Sequence, residues 1–208
     1  MPGQPTVRTS SDDASWNWAV RPCRDDRVAG DAGDGTDAGT TRVADIYSGS
    51  TGSQPYQFIE FGGALYFSAT DEAGGHELWT TDGTGAGTTR VVDILTGPES
   101  GIYGDASFLV FGSQLIVAAD SWEYGRELWS TDGTAAGTAL VADINTNTAS
   151  SSARLFAETS GTVIFMADDG VTGRELWTTD GTEAGTTMVI DLNPGSAGTF
   201  DQAQYAAT

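Results

Sequence analysis

The chain has 208 residues, of which 29 are Asp or Glu and 9 are Arg, and its formal net charge is -20. A charge of this sign repels nucleic acid and anionic lipid surfaces, so we expect neither as a partner. Hydrophobic residues make up 38% of the chain, which is more than a disordered acidic segment carries. The 28 glycines and the many threonines favour short strands and tight turns over helices, so the predicted class is all-β.

Residues 1–32 differ in composition from everything that follows. They contain Cys23, the only cysteine, so the chain cannot form an internal disulfide bond. They show no apolar run of the kind found in a signal peptide or a transmembrane helix. We expect an atypical or poorly ordered N-terminal segment.

The rest of the chain is organised by an internal repeat. Three full copies read HELWTTDGTGAGTTRVVDI at 76–94, RELWSTDGTAAGTALVADI at 126–144 and RELWTTDGTEAGTTMVIDL at 174–192, and a partial copy reads GDGTDAGTTRVADI at 33–46. The turn aspartates Asp34, Asp82, Asp132 and Asp180 are spaced by 48, 50 and 48 residues. A period of this length is typical of a four-stranded propeller blade.

Each full repeat predicts four short strands. Alternating apolar residues and turn signals place them at 57–62, 65–70, 76–81 and 89–94, then at 107–112, 115–120, 126–131 and 139–144, then at 154–159, 163–168, 174–179 and 187–192. The implied division of the chain is an N-terminal segment at 1–32, an outer strand and linker at 33–56, blades at 57–96, 97–146 and 147–193, and a tail at 194–208.

The second and third strands of each repeat form a hairpin whose register can be predicted. The loops DEAGG, SWEYG and DGVTG each hold five residues and end in Gly, which tolerates a positive φ. This pairs Thr70 with His76, and the same register sets Phe67, Val117 and Phe165 opposite Trp79, Trp129 and Trp177.

Because both faces of each hairpin are apolar, each sheet must be covered on both sides, as radially arranged blades are. We therefore expect a propeller-like array of about three complete blades and one partial blade, open or incomplete, with self-association possible through its end blades.

The repeated motifs ELWTTDGT and ELWSTDGT resemble the ELWxxDGT repeat family of large, mostly bacterial, surface or secreted proteins. The resemblance spans roughly residues 33–192, and it implies a β-propeller-like architecture and an extracellular or cell-surface location. It implies no established enzymatic activity or ligand. The structural signature residues are Glu77, Trp79, Asp82, Gly83, Glu127, Trp129, Asp132, Gly133, Glu175, Trp177, Asp180 and Gly181.

The sequence offers little for catalysis. His76 is the only histidine, and arginines replace it in the other repeats, so we expect no catalytic residue and no enzyme. The tryptophans are predicted to be blade core, and the glutamates are expected to accept backbone N–H groups of an adjacent blade or turn. Calcium is a possible cofactor because oxygen ligands are abundant, with candidates Asp82, Asp132, Asp180, Asp120, Asp168 and Asp169.

Trp122 and Tyr124 make one hairpin loop aromatic, so they are candidates for contacting a partner, with ordinary loop packing as the alternative. The function these observations favour is a non-enzymatic repeat module for binding or adhesion, presenting blade loops to a protein or glycan partner. The alternatives are a calcium-stiffened structural spacer and a hydrolase or lyase sited in the central channel.

Overall fold

The computed structural model describes residues 31–32, 39–104, 107–146 and 148–195, and in them the chain is all-β, as predicted. The strands are β1 (Asp31–Ala32), β2 (Thr41–Arg42), β3 (Tyr56–Phe61), β4 (Ala64–Thr70), β5 (His76–Thr81), β6 (Thr89–Val92), β7 (Phe108–Phe111), β8 (Gln114–Ser121), β9 (Gly125–Thr131), β10 (Ala139–Ala142), β11 (Arg154–Thr159), β12 (Thr162–Asp168), β13 (Arg174–Thr179) and β14 (Thr187–Ile190). Within the described ranges, no helix is long and apolar enough to cross a membrane.

Strands β3 to β14 form three four-stranded antiparallel sheets, one for each full repeat. In every sheet the strands pair in chain order, so each repeat folds as a simple meander. The predicted hairpin register is confirmed, with Phe67, Val117 and Phe165 opposite Trp79, Trp129 and Trp177. The loop glycine Gly75 has a φ of +73°, as the register requires.

The fourth strand of each sheet ends earlier than predicted. The observed ends are Val92, Ala142 and Ile190, whereas the apolar pattern continues for two further residues. The physical reason is that the backbone N–H of Ile94 donates to the side-chain carboxylate of Glu77 on β5 instead of to a backbone carbonyl of that strand. Ile144 donates to Glu127 in the same way.

The three sheets are stacked so that opposite faces meet. We call the face of each sheet that bears Trp79, Trp129 or Trp177 its tryptophan face, and the face that bears Leu78, Leu128 or Leu176 its leucine face. The leucine face of the first sheet packs on the tryptophan face of the second, and the second packs on the third in the same way. Phe67 and Trp79 of the first sheet pack against Ile46 of the partial repeat.

The predicted burial of the tryptophans is confirmed for the described chain. Trp79 is 8% exposed, Trp129 and Trp177 are partly buried, and the indole nitrogen of each is buried. The first strand of the second sheet, β7, contacts the first strands of the other two sheets, β3 and β11. Among the described residues, no contact as extensive joins the fourth strands β6, β10 and β14.

The partial repeat keeps the register of the full ones. Asp31 pairs with Arg42 and Ala32 with Thr41, as Trp79 pairs with Arg90 and Thr80 with Thr89 in the first full repeat. Strand β1 therefore occupies the third-strand position, although it lacks the ELW sequence. The predictions for residues 1–30, including Cys23, and for residues 196–208 of the tail fall outside the described residues.

Candidate functional site

The DGT motif forms the same hydrogen-bonded turn in all three full repeats. In the first, Oδ1 of Asp82 accepts the backbone N–H of Thr84 at 2.9 Å and its hydroxyl at 2.7 Å. The Thr84 hydroxyl oxygen in turn accepts the N–H of Gly87 at 3.0 Å. Asp132 and Asp180 make the same bonds within their own turns. The turn thus satisfies its own polar groups and explains the motif without a ligand.

The glycine that follows the aspartate of each turn by five residues packs closely against that aspartate. A Cβ atom at Gly87 would lie 2.0 Å from Oδ1 of Asp82, and Gly137 and Gly185 stand in the same relation to their aspartates. An aspartate and a glycine five residues apart are therefore one unit, in which the carboxylate lies against a bare Cα atom.

The predicted calcium candidates lie at both ends of the sheets. Asp82, Asp132 and Asp180 lie in the turns, where the hydrogen bond from the threonine hydroxyl, followed by that from the threonine N–H, holds the pKa of each carboxyl below its usual value. Asp120 and Asp168 pair in register with Arg126 and Arg174. In the described part of the chain, no three His, Cys, Asp or Glu side chains group closely enough to hold a metal ion.

Asp169, the sixth calcium candidate, is engaged by its own loop. Its Oδ1 accepts the N–H groups of Val171 and Thr172 at 2.9 and 2.7 Å and the Thr172 hydroxyl at 2.9 Å. Partial burial acts to raise the pKa of Asp169, but these hydrogen bonds outweigh it and the pKa is lowered.

The glutamate of each ELW motif is buried and binds the linker that follows its own sheet. Glu77 is 1% exposed, and its two carboxylate oxygens accept the N–H groups of Ile94 at 3.0 Å and Gly101 at 2.8 Å. Glu127 is fully buried and accepts the N–H groups of Ile144, Asn145 and Ser151 at 3.2, 3.3 and 3.0 Å. The expectation that these glutamates accept backbone N–H groups is confirmed. We call this arrangement the glutamate clasp.

The clasp also connects each sheet to the next one. Gly101 donates its N–H to Glu77, and its carbonyl accepts the N–H of Asp120 at the end of β8, at 2.7 Å. One repeat later, the Ser151 N–H donates to Glu127, and its carbonyl accepts the N–H of Asp168 at 2.9 Å. A single linker residue therefore joins the third strand of one sheet to the second strand of the following sheet.

Burial makes two of the clasp carboxyls, those of Glu77 and Glu127, unusual acids. Loss of hydration raises the pKa of Glu77 and of Glu127 to about 7 each, against the opposing effect of the backbone N–H donors. A carboxyl of this pKa is a possible general acid or base. Both side chains, however, lie inside the stack and contact the chain's own backbone, so they have a structural role.

Trp122 is exposed at the end of the sheets where the clasps lie. This hairpin end consists of the loops 71–75, 122–124 and 169–173 and the linkers 47–53, 95–101, 145–146 and 148–151. The Trp122 side chain is 63% exposed, yet its Nε1 atom donates a 3.0 Å hydrogen bond to the carbonyl of Thr96 in the preceding linker. Glu72, at the same loop position in the first repeat, accepts a hydrogen bond from Ser48, at the same linker position. This loop position thus bonds to the preceding linker in the first and second repeats, as acceptor in one and donor in the other, whereas the third repeat has Gly170 there. The exposed indole belongs to the second repeat alone.

The other predicted partner-contact residue, Tyr124, lies in the same loop. It is partly buried, and a hydrogen bond with Glu123 raises the pKa of its phenol. Tyr103, in the adjoining linker, is 44% exposed. Sequence reasoning did not select Tyr103, although the signal that selected Trp122, an aromatic residue in one repeat only, also applies to it.

His76 has the structural environment of a hairpin residue. Its backbone N–H donates to the Ser100 hydroxyl at 3.0 Å, as Arg126 donates to Ser150 in the next repeat. Its ring lies 4.8 Å from that of Tyr56, and burial lowers its pKa. The position therefore serves the same linker contact whether it holds His or Arg.

The comparisons with known proteins add no name to this fold and site. Neither family models, nor curated proteins, nor solved structures gave a match to this chain.

Proposed function

We propose that the chain is a non-enzymatic binding module, built as an arc of a β-propeller, that presents its hairpin end to a protein or glycan partner. The observation that carries this proposal is Trp122, an indole that is 63% exposed while its N–H is held by the Thr96 carbonyl. Aromatic side chains of this kind are common anchors of binding interfaces, because they offer a large contact area at low entropic cost.

The propeller arc is favoured by how the sheets meet. Contacts between first strands, with weaker contacts between fourth strands, are expected for sheets that fan out from a common axis. Each interior sheet is also covered on both faces, as a blade is. The likeness of the motifs to the ELWxxDGT repeats supports the same architecture, and with it a place outside the cell or on its surface.

The two ends of the sheets differ in a way that favours the hairpin end as the binding surface. The turn end repeats the same aspartate and threonine hydrogen bonds three times, so its function is to build the fold. The hairpin loops differ in each repeat, reading DEAGG, SWEYG and DGVTG. Variable loops on a constant scaffold are where binding surfaces are found.

Binding assays on Trp122 variants test the proposal. The chain is applied to a printed panel of neutral and acidic oligosaccharides and to a panel of purified surface and secreted proteins. Trp122→Ala should weaken any specific binding by about tenfold or more, since an anchor residue contributes at least about 1–2 kcal/mol. Trp122→Phe, which keeps a ring but loses the Thr96 bond, should retain part of it.

The matched control is Trp122→Glu, which introduces the residue that the first repeat carries at this position, Glu72. It should leave the melting temperature close to that of the parent chain while abolishing binding. Specific binding that is equally strong in all three variants, or turnover of a panel member, would count against the proposal.

A further inference from the structure

The fourth-strand side of the leucine face of the third sheet is exposed where the same side of the other two sheets is buried, whereas Met166, on the second strand of that face, is 2% exposed. Val91 and Val141 are 9% and 5% exposed, whereas the equivalent Val189 is 50% exposed. Ile144 is 8% exposed, and its equivalent Leu192 is 58% exposed. The three repeats have similar sequences, so this difference in exposure depends on whether another sheet packs on the leucine face.

The two internal junctions show what this face accepts. Val91 packs in one core with Val117 and Trp129 of the second sheet. Val141 packs in one core with Phe165 and Trp177 of the third sheet. In both junctions a leucine face is covered by a tryptophan face, so the interface joins two unlike surfaces.

From these junctions we infer that the open leucine face of the third sheet is a docking surface for the tryptophan face of a further four-stranded sheet of this repeat type. The surface comprises Ile164, Leu176, Val189, Ile190 and Leu192. These five side chains are uncharged, which suits an apolar partner surface, and the charged side chains of the same face, Arg154, Asp168 and Arg174, lie toward its first-strand and hairpin edges.

A second copy of the same chain is a poorer occupant. In the described residues its tryptophan face, with Phe67 fully buried and Trp79 8% exposed, is already covered by the partial repeat. In a dimer formed through this surface, two leucine faces would pair symmetrically, and neither would supply an indole. The contact would also bring two strongly acidic chains together. The inference concerns the third sheet alone, so it does not depend on partner binding at the hairpin end.

The test extends the chain in register. In the extended chain, Asn193 is followed by a second copy of residues 146–195, because Asn193 is equivalent to Asn145. Amide exchange at residues 187–192 should slow by about tenfold or more relative to the parent chain, as burial of this strand suppresses local opening. A control extension carries Phe165→Asp and Trp177→Asp in the added copy only, and it should give no protection.

A second variant keeps the result interpretable if the extended chain folds poorly. Val189→Glu should leave the melting temperature of the parent chain nearly unchanged but lower that of the extended chain, whereas Val141→Glu should lower it in both. If the extension leaves exchange at 187–192 unchanged, the inference is wrong. It is also wrong if the parent chain forms a dimer that Val189→Glu dissociates, because the occupant is then a second copy. Faster exchange at 187–192 after truncation of the chain behind Asn193 would likewise overturn it, because the occupant is then the chain's own tail.

Discussion

Replacing Glu127 by Gln is the most direct test of the glutamate clasp. In the native chain, Oε1 accepts the N–H groups of Asn145 and Ser151, and Oε2 accepts that of Ile144. Glutamine has one acceptor oxygen, so its amide NH2 group must face at least one of these backbone donors. At pH 5, where Glu127 is protonated, its hydroxyl oxygen still has a lone pair that accepts an N–H, whereas the amide NH2 group has none. The variant therefore leaves a buried N–H without an acceptor, which costs about 1–3 kcal/mol of the free energy of unfolding.

The loss should depend on pH in a defined direction. Burial raises the pKa of Glu127 from 4.5 to about 7, so between these values the folded chain binds more protons than the unfolded chain. The stability from this group is therefore complete below pH 4.5 and is lost as the pH rises through about 7. The shift corresponds to ~3 kcal/mol at most. Glutamine does not titrate, so Glu127→Gln should cost most near pH 5 and least near pH 8.

The assay is urea unfolding of the parent chain and of the variant at both pH values, followed by tryptophan fluorescence. The control is Glu60→Gln, which removes one carboxylate from an exposed position of β3 and should change stability little at either pH. The reasoning is refuted if the two variants lose the same stability, or if the loss in Glu127→Gln grows from pH 5 to pH 8.

Three further predictions concern the turns and linkers. Gly75→Ala should destabilise the chain by about 2 kcal/mol more than Gly63→Ala. Both glycines have a positive φ, but only a Cβ at Gly75 would meet a linker carbonyl, that of Glu99, at 2.0 Å. Equal losses of stability in thermal melts would contradict this prediction. Gly87→Ala should lower the melting temperature more than Gly85→Ala, since a Cβ at Gly87 would lie 2.0 Å from Oδ1 of Asp82, whereas a Cβ at Gly85 would lie 3.0 Å from its nearest neighbour, the Val43 carbonyl oxygen. Addition of a calcium chelator should not change the melting temperature, because hydrogen bonds within each turn already engage its aspartate, and a fall would favour the calcium-stiffened spacer.

The strands and their register could be predicted from the sequence because their signals are local. Alternation of apolar residues locates a strand, and a five-residue loop ending in glycine fixes which residues face each other. Thus the pairing of Phe67 with Trp79 follows from the positions of Gly75 and the flanking apolar residues alone. The ends of the fourth strands could not be predicted in this way, because a side chain from another strand decides them.

The partners of the clasp could not be predicted because they are backbone groups. Gly101 and Ser151 are different residues with the same function, which is to donate an N–H to a glutamate that lies 24 positions earlier. No side-chain pattern marks such a donor. The burial of Glu77 within an apolar face predicted that a partner must exist, without indicating which one.

The clasp also explains where the repeat tolerates a change of length. Gly101 and Ser151 each follow their aspartates, Asp93 and Asp143, by eight residues, so the clasp segment has constant length. From Gly101 to Asp120 the chain has 19 steps, and from Ser151 to Asp168 it has 17, although the same carbonyl-to-N–H bond closes both segments. The extra residues of the second repeat therefore lie after the clasp. An insertion there lengthens a surface linker at a small entropic cost, whereas an insertion before it would withdraw the N–H donor from a buried carboxylate.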